Sequence, residues 1–366
     1  MIGLSDKKRV VITGASGFLG SHLLKRLWGD GRYEILALSS RPDQLRELIA
    51  AGSGARAAAA DMPAESVSGT GTDALCRNDG SDGIDSSDGI DSIDHSGGID
   101  RGGRIGHPGT TDNIRYALRD EILGAGGEDF LEGAVVVNCA YPRNSTGTEV
   151  ADGLRYIQQV LLAAVRHGAA SIINISSQSV YSQKREEAAS ESAPICLESP
   201  YAVGKYAVEL TLEALCGGSE TAYTNIRMAS LIGPRFSQRI TNRFVAQALA
   251  GNDLRVNAGR QCFGFLDVED AVSGLCAILG SDSATWKKAY NLGPAAGYSL
   301  TEIADLVCRL SAEYCPKPVT CLAAPSDDCL NSSLDISLFS ADFGWRPAVS
   351  MEESIRRIYE EQKRSL

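Results

Sequence analysis

Three side chains in the middle of the chain are of types that can move a proton to or from a substrate hydroxyl. Tyr201 and Lys205 lie four residues apart, directly after Ser199 and Pro200. Serine favours the N-cap of a helix and proline its first position, so this spacing predicts that Tyr201 and Lys205 share one helix face. An ammonium beside a phenol stabilises the phenolate, which can exchange a proton near neutral pH. Ser177, at the end of an apolar run, is predicted to hold the same substrate oxygen.

A glycine-rich turn near the start of the chain predicts a site for the diphosphate of a dinucleotide. The run TGASGFLG follows a strand-like segment and opens a helix-like one. Glycines at such a turn allow close approach of the backbone, and the helix N-terminus offers free N–H groups to an anion. A tight turn with no ligand is the alternative. The predicted cofactor-binding residues here are Gly14, Ser16, Gly17, Phe18, Leu19 and Gly20.

The end of the second predicted strand bears on the choice between NAD and NADP. No Asp or Glu follows Leu38, where an acidic residue would bind the ribose 2′-hydroxyl of NAD. Arg41 is placed to meet a 2′-phosphate, with Ser39 or Ser40 hydrogen-bonding it, so the sequence slightly favours NADP. A solvated surface arginine is the alternative. Asp61, after the third predicted strand, is a candidate acceptor from the adenine amino group, or a turn cap.

These candidate residues require a scaffold of alternating strands and helices. That alternation predicts an α/β fold, a Rossmann-type doubly wound parallel sheet covered by helices on both faces. The predicted strands are Arg9–Thr13, Tyr33–Leu38, Ala57–Ala60, Ala134–Cys139, Ser171–Ile175 and Thr221–Arg227. The predicted helices are Gly17–Trp28, Pro42–Ala51, Ala151–His167 and Pro200–Cys216.

The chain divides into a dinucleotide-binding part and a smaller lobe. Residues 1–235 are predicted to be mainly the Rossmann domain, and 236–366 mainly a C-terminal substrate-binding lobe, interleaved with strands that return to the sheet. In that lobe Ser299 with Glu302, and Ser350 with Glu353, each fit a capping box. Residues 63–110 are rich in Gly, Ser and Asp and repeat SDGID, which predicts a disordered insertion between the third and fourth strands.

Composition excludes several classes of protein. The 366 residues carry a net charge of −11, which argues against a nucleic-acid backbone as partner. No apolar run reaches the ~18 residues that span a bilayer, so no membrane partner is expected. The ten cysteines are scattered and the four histidines do not cluster with them. We therefore expect reduced thiols, no metal site and a cytoplasmic location.

Taken together, these motifs resemble the NAD(P)-dependent epimerase/dehydratase family of the extended short-chain dehydrogenase/reductase superfamily. The matching runs are TGASGFLG, VVVNCAYP, INISSQSVY, SPYAVGKYAVE, NIRMASLIGPR, FLDVEDAVSGL, AYNLG and FGWRPAVSMEESI. The resemblance implies that Ser177, Tyr201 and Lys205 form a catalytic triad and that Lys205 also binds the nicotinamide ribose. It adds Ala140 to the cofactor-binding residues. It further implies a nucleotide-sugar substrate and a homodimer.

Two departures from the family pattern leave the reaction open. Family members that remove water from a sugar typically place Asp-Glu after the catalytic hydroxyl residue, whereas this chain has Gln178-Ser179. No basic residue lies in the segment Gln261–Gly264, where many relatives grip a diphosphate; the candidate replacements are Arg235, Arg239, Arg243 and Arg260. The leading expectation is an epimerase that works through a keto intermediate. The alternatives are a net NADPH-dependent ketoreductase and a non-catalytic dinucleotide sensor.

Overall fold

The scaffold is a seven-stranded sheet. In the computed structural model, residues 7–57, 114–118, 121–123, 128–142 and 147–366 are described. The strands of the sheet are β1 (Lys8–Thr13), β2 (Tyr33–Ser39), β3 (Ile114–Leu118), β4 (Val135–Asn138), β5 (Ser171–Ser177), β6 (Ala222–Met228) and β10 (Ala289–Leu292). Their order across the sheet is β10-β6-β5-β4-β1-β2-β3, and every neighbouring pair is parallel.

Helices cover both faces of this sheet, which explains why β1, β2 and β4 carry apolar residues at consecutive positions. Val10 and Ile12 of β1 pack into one core, and Val11 between them packs into the core on the opposite face. The helices of the first two thirds are α1 (Phe18–Asp30), α2 (Pro42–Ala57), α3 (Glu128–Leu131), α4 (Thr148–Arg166) and α5 (Pro200–Cys216). Side chains of α1 and α2 fill the first core, and those of α4 and α5 fill the second. The doubly wound α/β fold predicted from the sequence is confirmed.

The prediction of the third strand was wrong. Ala57 is the last residue of α2 rather than the first of a strand, and the strand beside β2 is Ile114–Leu118. Alanine favours a helix, whereas β3 contains the isoleucine and tyrosine that suit a sheet. The Gly/Ser/Asp-rich segment 63–110 therefore precedes the third strand rather than following it. That segment lies outside the described residues, as does Asp61.

A row of buried polar side chains crosses the sheet near its carboxyl edge. Thr13 Oγ1 donates to Asn138 Oδ1 at 2.7 Å, Asn138 Nδ2 to Asn174 Oδ1 at 2.9 Å, and Asn174 Nδ2 to Asn225 Oδ1 at 2.8 Å. The row joins β1, β4, β5 and β6. Thr13 Oγ1 also accepts from the backbone N–H of Ala140 at 3.2 Å. The strand ends that carry the candidate residues are thereby held in one register.

The C-terminal third builds a second hydrophobic core and also completes the sheet. Its strands are β7 (Ser230–Ile232), β8 (Leu254–Cys262), β9 (Phe265–Asp267) and β11 (Cys321–Asn331). Its helices are α6 (Ile240–Leu249), α7 (Val268–Leu279), α8 (Leu300–Tyr314), α9 (Ser337–Phe343) and α10 (Met351–Ser365). Strands β8 and β11 pair in parallel, and the core of this lobe lies among α6, α8 and α10. Strand β10 returns to the main sheet beside β6.

One of the two predicted capping boxes forms completely. Ser299 accepts from Glu302 N–H, and the Glu302 carboxylate accepts from Ser299 N–H at 2.7 Å. At the start of α10, Ser350 accepts from Glu353 N–H at 3.1 Å, but Glu353 bonds Arg357 Nε instead of returning to Ser350. The second box is therefore only half made, because Arg357 lies one helical turn further along and attracts the carboxylate.

Candidate active site

Helix α5 begins at the residues predicted from the sequence and aims Tyr201 and Lys205 at the sheet edge. Ser199 is extended, and its hydroxyl accepts from Ala202 N–H at 3.1 Å; Pro200 is the first helical residue. Tyr201 therefore sits in the first turn, half-buried, with Lys205 one turn later and only 6% exposed. The cap fixes where the helix starts, and the start fixes which face both side chains share.

Ser177, Tyr201 and Lys205 line one small cavity at the carboxyl ends of β5 and β6. Its volume is about 80 Å³. Ser177 is the last residue of β5, and its Oγ accepts from Ser179 Oγ at 2.9 Å and from Ser179 N–H at 3.2 Å. The Lys205 ammonium donates to the backbone carbonyl of Ile175 at 2.9 Å. The predicted triad is thus brought together, although its members come from two elements 24 residues apart in the chain.

Tyr141 is a cavity residue to which the sequence analysis gave no role. It follows β4 and lines the same cavity. Its ring lies edge to face with that of Tyr201, with 5.1 Å between centroids, and its centroid is 4.3 Å from Lys205 Nζ. The run VVVNCAYP placed a tyrosine near this edge of the sheet, but a contact with α5 depends on β4 and β5 being neighbours.

The cavity also holds a thiol that is poorly suited to nucleophilic chemistry. Burial raises the pKa of Cys139 to about 12, against the opposing effect of the Lys205 ammonium. A thiol with such a pKa stays protonated at neutral pH, and the thiolate is the nucleophilic form. The proton chemistry of the cavity therefore belongs to its hydroxyls.

The glycine-rich turn has the shape and the exposed N–H groups that a diphosphate needs. Gly14 has a positive φ of 64°, and a Cβ there would lie 2.9 Å from the backbone of Ala140. A Cβ on Gly20 would collide with the carbonyl oxygen of Gly14. Gly17 caps α1, and no side chain bonds the first amides of that helix. Free amides and a positive helix end in a cradle of this kind fit the phosphates of a dinucleotide.

The turn lies between the cavity of Ser177, Tyr201 and Lys205 and a second, wider cleft. Leu19 lines that cavity, whereas Ser16, Gly17 and Phe18 line a cleft of about 900 Å³. Arg41 also lines this cleft. The predicted cofactor residues of the glycine turn therefore span both cavities.

Ser39 rather than Ser40 joins the second strand to the glycine turn. Ser39 is buried, its hydroxyl lies 2.7 Å from that of Ser16, and it accepts from the N–H of Arg41 at 2.9 Å. Ser40 is exposed. The sequence named both serines as candidates; Ser39 is the last residue of β2, whereas Ser40 lies beyond the end of the strand.

Of the four arginines considered for an anionic substrate, the structure places Arg239 at the catalytic cavity. Arg239 is only 6% exposed, and its guanidinium lies 4.8 Å from the ring centroid of Phe236. Arg235, Arg243 and Arg260 are exposed. A buried cation at the edge of the cavity is suited to a phosphate or carboxylate.

Neither a membrane-spanning helix nor a cluster of metal ligands is present in the described part of the chain. Among these residues, no helix is both long enough and apolar enough to cross a membrane. Within the same ranges, no three or more His, Cys, Asp or Glu side chains are grouped so as to hold a metal ion.

Comparisons with known proteins relate the chain to enzymes of sugar metabolism. The model of the NAD dependent epimerase/dehydratase family matches residues 10–68 and 128–293, more than half of the chain. The chain is 29% identical over 218 residues to a dTDP-glucose 4,6-dehydratase of Actinoplanes, covering 58% of this chain and 66% of that protein. It is 28% identical to UDP-glucuronic acid decarboxylase 1 of Xenopus tropicalis, covering 45% and 39%. The matches thus span less than two thirds of the length of these relatives.

A solved structure extends the likeness over nearly the whole fold. UDP-glucuronic acid 4-epimerase of Bacillus cereus, in complex with UDP-glucuronic acid and NAD, superposes with a TM-score of 0.70 at 20% identity. The superposition covers 98% of this chain and all of that one. With the family model, the glycine turn and the Ser177–Tyr201–Lys205 cavity in agreement, the chain belongs to the NAD dependent epimerase/dehydratase family.

Proposed function

We propose that this protein is an NAD(P)-dependent epimerase that acts by hydride transfer at a hydroxyl-bearing carbon of a nucleotide sugar. The observation that carries the proposal is the meeting of Ser177, Tyr201 and Lys205 in one cavity beside the buried Arg239. A proton acceptor, a cation that stabilises it and an anion anchor are the protein groups that oxidation of a phosphorylated alcohol requires in addition to a hydride acceptor.

Residues of the protein itself would carry out the proton transfer to and from the substrate hydroxyl. The Tyr201 phenolate accepts the proton of the substrate hydroxyl, and the nearby Lys205 ammonium stabilises the phenolate. Ser177 donates a hydrogen bond to the same substrate oxygen and so orients it. In an epimerase the keto form of the sugar then turns over in the cavity, and Tyr201 returns the proton to the new alcohol.

The dinucleotide would lie along the sheet edge from the wide cleft to the catalytic cavity. Gly14 to Gly20 and the start of α1 would hold its diphosphate, Ala140 would border it, and Lys205 would reach the nicotinamide ribose. When bound, it supplies the acceptor and later the donor of the hydride. Arg41, beside Ser16 and Ser39, supports a slight preference for NADP, although the Bacillus cereus structure contains NAD.

The substrate class is supported by Arg239 and by the relatives. Their names specify UDP- and dTDP-linked sugars, all of which carry a diphosphate. Arg239 is placed to pair with one of those phosphates. Gln178 occupies the position of the acid that dehydratases use, and its Oε1 accepts from Gln183 Nε2 at 3.1 Å. An amide cannot supply the proton that loss of water requires, so epimerisation is favoured over dehydration.

Product analysis tests the proposal. The protein is incubated with NAD or NADP and with UDP-glucuronic acid, UDP-glucose or dTDP-glucose, and the sugars are identified by NMR. We expect one of these to yield its epimer without net change in the reduced cofactor. Stoichiometric NADPH consumption with the corresponding keto sugar would instead establish the ketoreductase. Cofactor binding without turnover of any sugar would favour the sensor.

The role of Arg239 is checked with a matched pair of variants. Arg239→Leu should raise the KM for the nucleotide sugar, and the Kd for free UDP, by about tenfold or more, because a charge-assisted hydrogen bond is lost. Arg243→Leu, one helical turn later on the exposed side of α6, should leave both unchanged. Equal effects of the two variants would remove Arg239 from the substrate site.

We also propose a cytoplasmic homodimer. The nine described cysteines are all free, which suits a reducing compartment. Val203 and Leu210, seven residues apart on α5, are 50% and 48% exposed, an arrangement that suits a second helix packed against them. Replacing both with glutamate should convert a dimer to a monomer in light scattering; an unchanged mass would place the interface elsewhere or exclude a dimer.

A further inference from the structure

Tyr141 contacts both of the residues proposed to carry the chemistry. Its hydroxyl donates to the backbone carbonyl of Tyr201 at 3.2 Å, and its ring packs edge to face against the Tyr201 ring. The same ring faces the ammonium of Lys205 at 4.3 Å, closer than the Tyr201 ring at 5.7 Å. One side chain from the end of β4 thus reaches the backbone and ring of Tyr201 and the charge of Lys205.

Gly204 makes this arrangement possible. It lies in the interior of α5, between the two proposed catalytic residues, where glycine costs about 1 kcal/mol relative to alanine. A Cβ at this position would collide with the Tyr141 hydroxyl. The helix therefore carries an unfavourable residue at the point where Tyr141 docks, so Tyr141 and Gly204 act as a pair.

We propose that Tyr141 is a positioning residue that holds the Lys205 ammonium and the Tyr201 ring in their working arrangement. The inference rests on the proposed function, because it assumes that Tyr201 works as a phenolate. The Lys205 ammonium is fixed from two directions, by the carbonyl of Ile175 and by the Tyr141 ring. Attraction between a cation and an aromatic face strengthens where water is excluded, and Lys205 is buried. An ammonium so fixed cannot drift from the phenol that it must stabilise.

Two substitutions separate the contribution of the Tyr141 hydroxyl from that of its aromatic ring. Tyr141→Phe keeps the ring and loses only the hydroxyl, so its turnover should stay within about threefold of the original. Tyr141→Leu loses the aromatic face as well, so turnover should fall about tenfold or more with a smaller change in KM. Tyr223→Leu, at the far end of β6, is the matched control for the loss of an aromatic ring, and we expect normal turnover from it.

A titration gives a readout that does not depend on turnover. The ultraviolet signal of the Tyr201 phenolate is obtained as the difference between a protein and its Tyr201→Phe counterpart, followed against pH. In the Tyr141→Leu background we expect the midpoint to rise by about half a pH unit or more, because the ammonium is less firmly held near the phenol. An unchanged midpoint in a folded Tyr141→Leu protein would overturn the proposal. If no sugar is turned over by any variant, the proposed function fails while this titration still decides the role of Tyr141.

The contact between Tyr141 and Gly204 provides a second experimental test of the proposal. Gly204→Ala alone should lower turnover and raise the same titration midpoint, because the added methyl displaces the Tyr141 ring. In the Tyr141→Leu background the same change should cost no further turnover and should raise Tm, since alanine favours the helix. Additive losses of turnover from the two substitutions would show that Gly204 serves some purpose other than seating Tyr141, and would also count against the proposal.

Discussion

Tyr201 is the single residue on which the proposed reaction depends most directly. Replacing it with phenylalanine keeps the ring that packs against Tyr141 and removes the hydroxyl that moves the proton. Turnover should fall at least about a hundredfold, the usual contribution of a positioned acid–base group, while cofactor affinity and Tm stay nearly constant. Tyr206→Phe, five residues along α5, serves as the control. Near-normal turnover in a folded Tyr201→Phe protein would exclude Tyr201 from the mechanism.

Arg41 is the residue that should decide between the two cofactors. It lines the wide cleft beside Ser16, and only NADP carries a 2′-phosphate for its guanidinium to pair with. Arg41→Ala should therefore weaken NADP binding by about tenfold or more and NAD binding much less, as measured by calorimetric titration with each cofactor. Arg46→Ala removes an exposed arginine from α2, the helix that follows Arg41, and should alter neither affinity. Equal losses for NAD and NADP would make Arg41 an ordinary surface residue.

At the scale of the element, α5 is joined to the sheet by a buried ion pair. Glu209 continues the series Tyr201, Lys205 at four-residue steps, so it lies on the same helix face. Its carboxylate accepts from Arg227 Nη2 of β6 at 2.8 Å and from the hydroxyl of Ser176, the neighbour of Ser177. Burial disfavours the Arg227 charge, but the hydrogen bond and charge of Glu209, together with Tyr181, outweigh it and raise the pKa of Arg227. The pair thus holds α5 against β6, and the Ser176 hydrogen bond holds it against β5, the strand that carries Ser177.

Removing one charge of this pair should lower the free energy of unfolding more than removing both charges. Glu209→Gln leaves the Arg227 charge buried without its carboxylate, which should lower the free energy of unfolding by about 3 kcal/mol or more. The double variant Glu209→Leu with Arg227→Met removes both charges and should recover much of that loss. Urea midpoints of the three proteins provide the comparison. A double variant less stable than Glu209→Gln would mean that the pair itself stabilises the fold.

How far the elements could be predicted from the sequence depends on whether the signal is local. The start of α5 was predicted correctly, because serine favours the N-cap and proline the first helical position, and Ser199 and Pro200 are adjacent. The third strand was misplaced, because an alanine run gives no strand signal of its own and the true strand follows a long insertion. The contact of Tyr141 with Lys205 was not foreseen, because it arises only when β4 and β5 pair side by side. Arg239 could be named as one of four candidates, but only its burial distinguishes it from the others.

At the scale of the whole molecule, the start of α7 joins the second core to the sheet. Asp267 caps α7 by accepting from Glu269 N–H at 2.8 Å, and it also accepts from Ser354 Oγ of α10 at 2.5 Å. Asp270 accepts from the N–H groups of Ala348 and Val349, just before α10, at 3.0 and 2.8 Å. Two carboxylates one turn apart thus hold the segment leading into α10 and the helix itself. Since α10 packs on α6, which begins directly after Arg239, these contacts also support the helix that follows this cavity residue.

Asp267 should give the protein a measurable dependence of stability on pH. Burial raises the pKa of Asp267, although Ser354, the Glu269 amide and Arg357 oppose the rise. A carboxyl whose folded pKa exceeds its unfolded value of about 3.9 stabilises the fold fully below that value, and the effect is lost as pH rises through the folded pKa. Asp267→Asn does not titrate; its Oδ1 can still accept from the Glu269 N–H, while its Nδ2 donates to Ser354 Oγ, which then becomes the acceptor. The urea midpoint of Asp267→Asn, relative to that of the original protein at the same pH, should therefore be higher at pH 7 than at pH 4. Equal differences at pH 4 and pH 7 would show that folding leaves the Asp267 pKa unchanged.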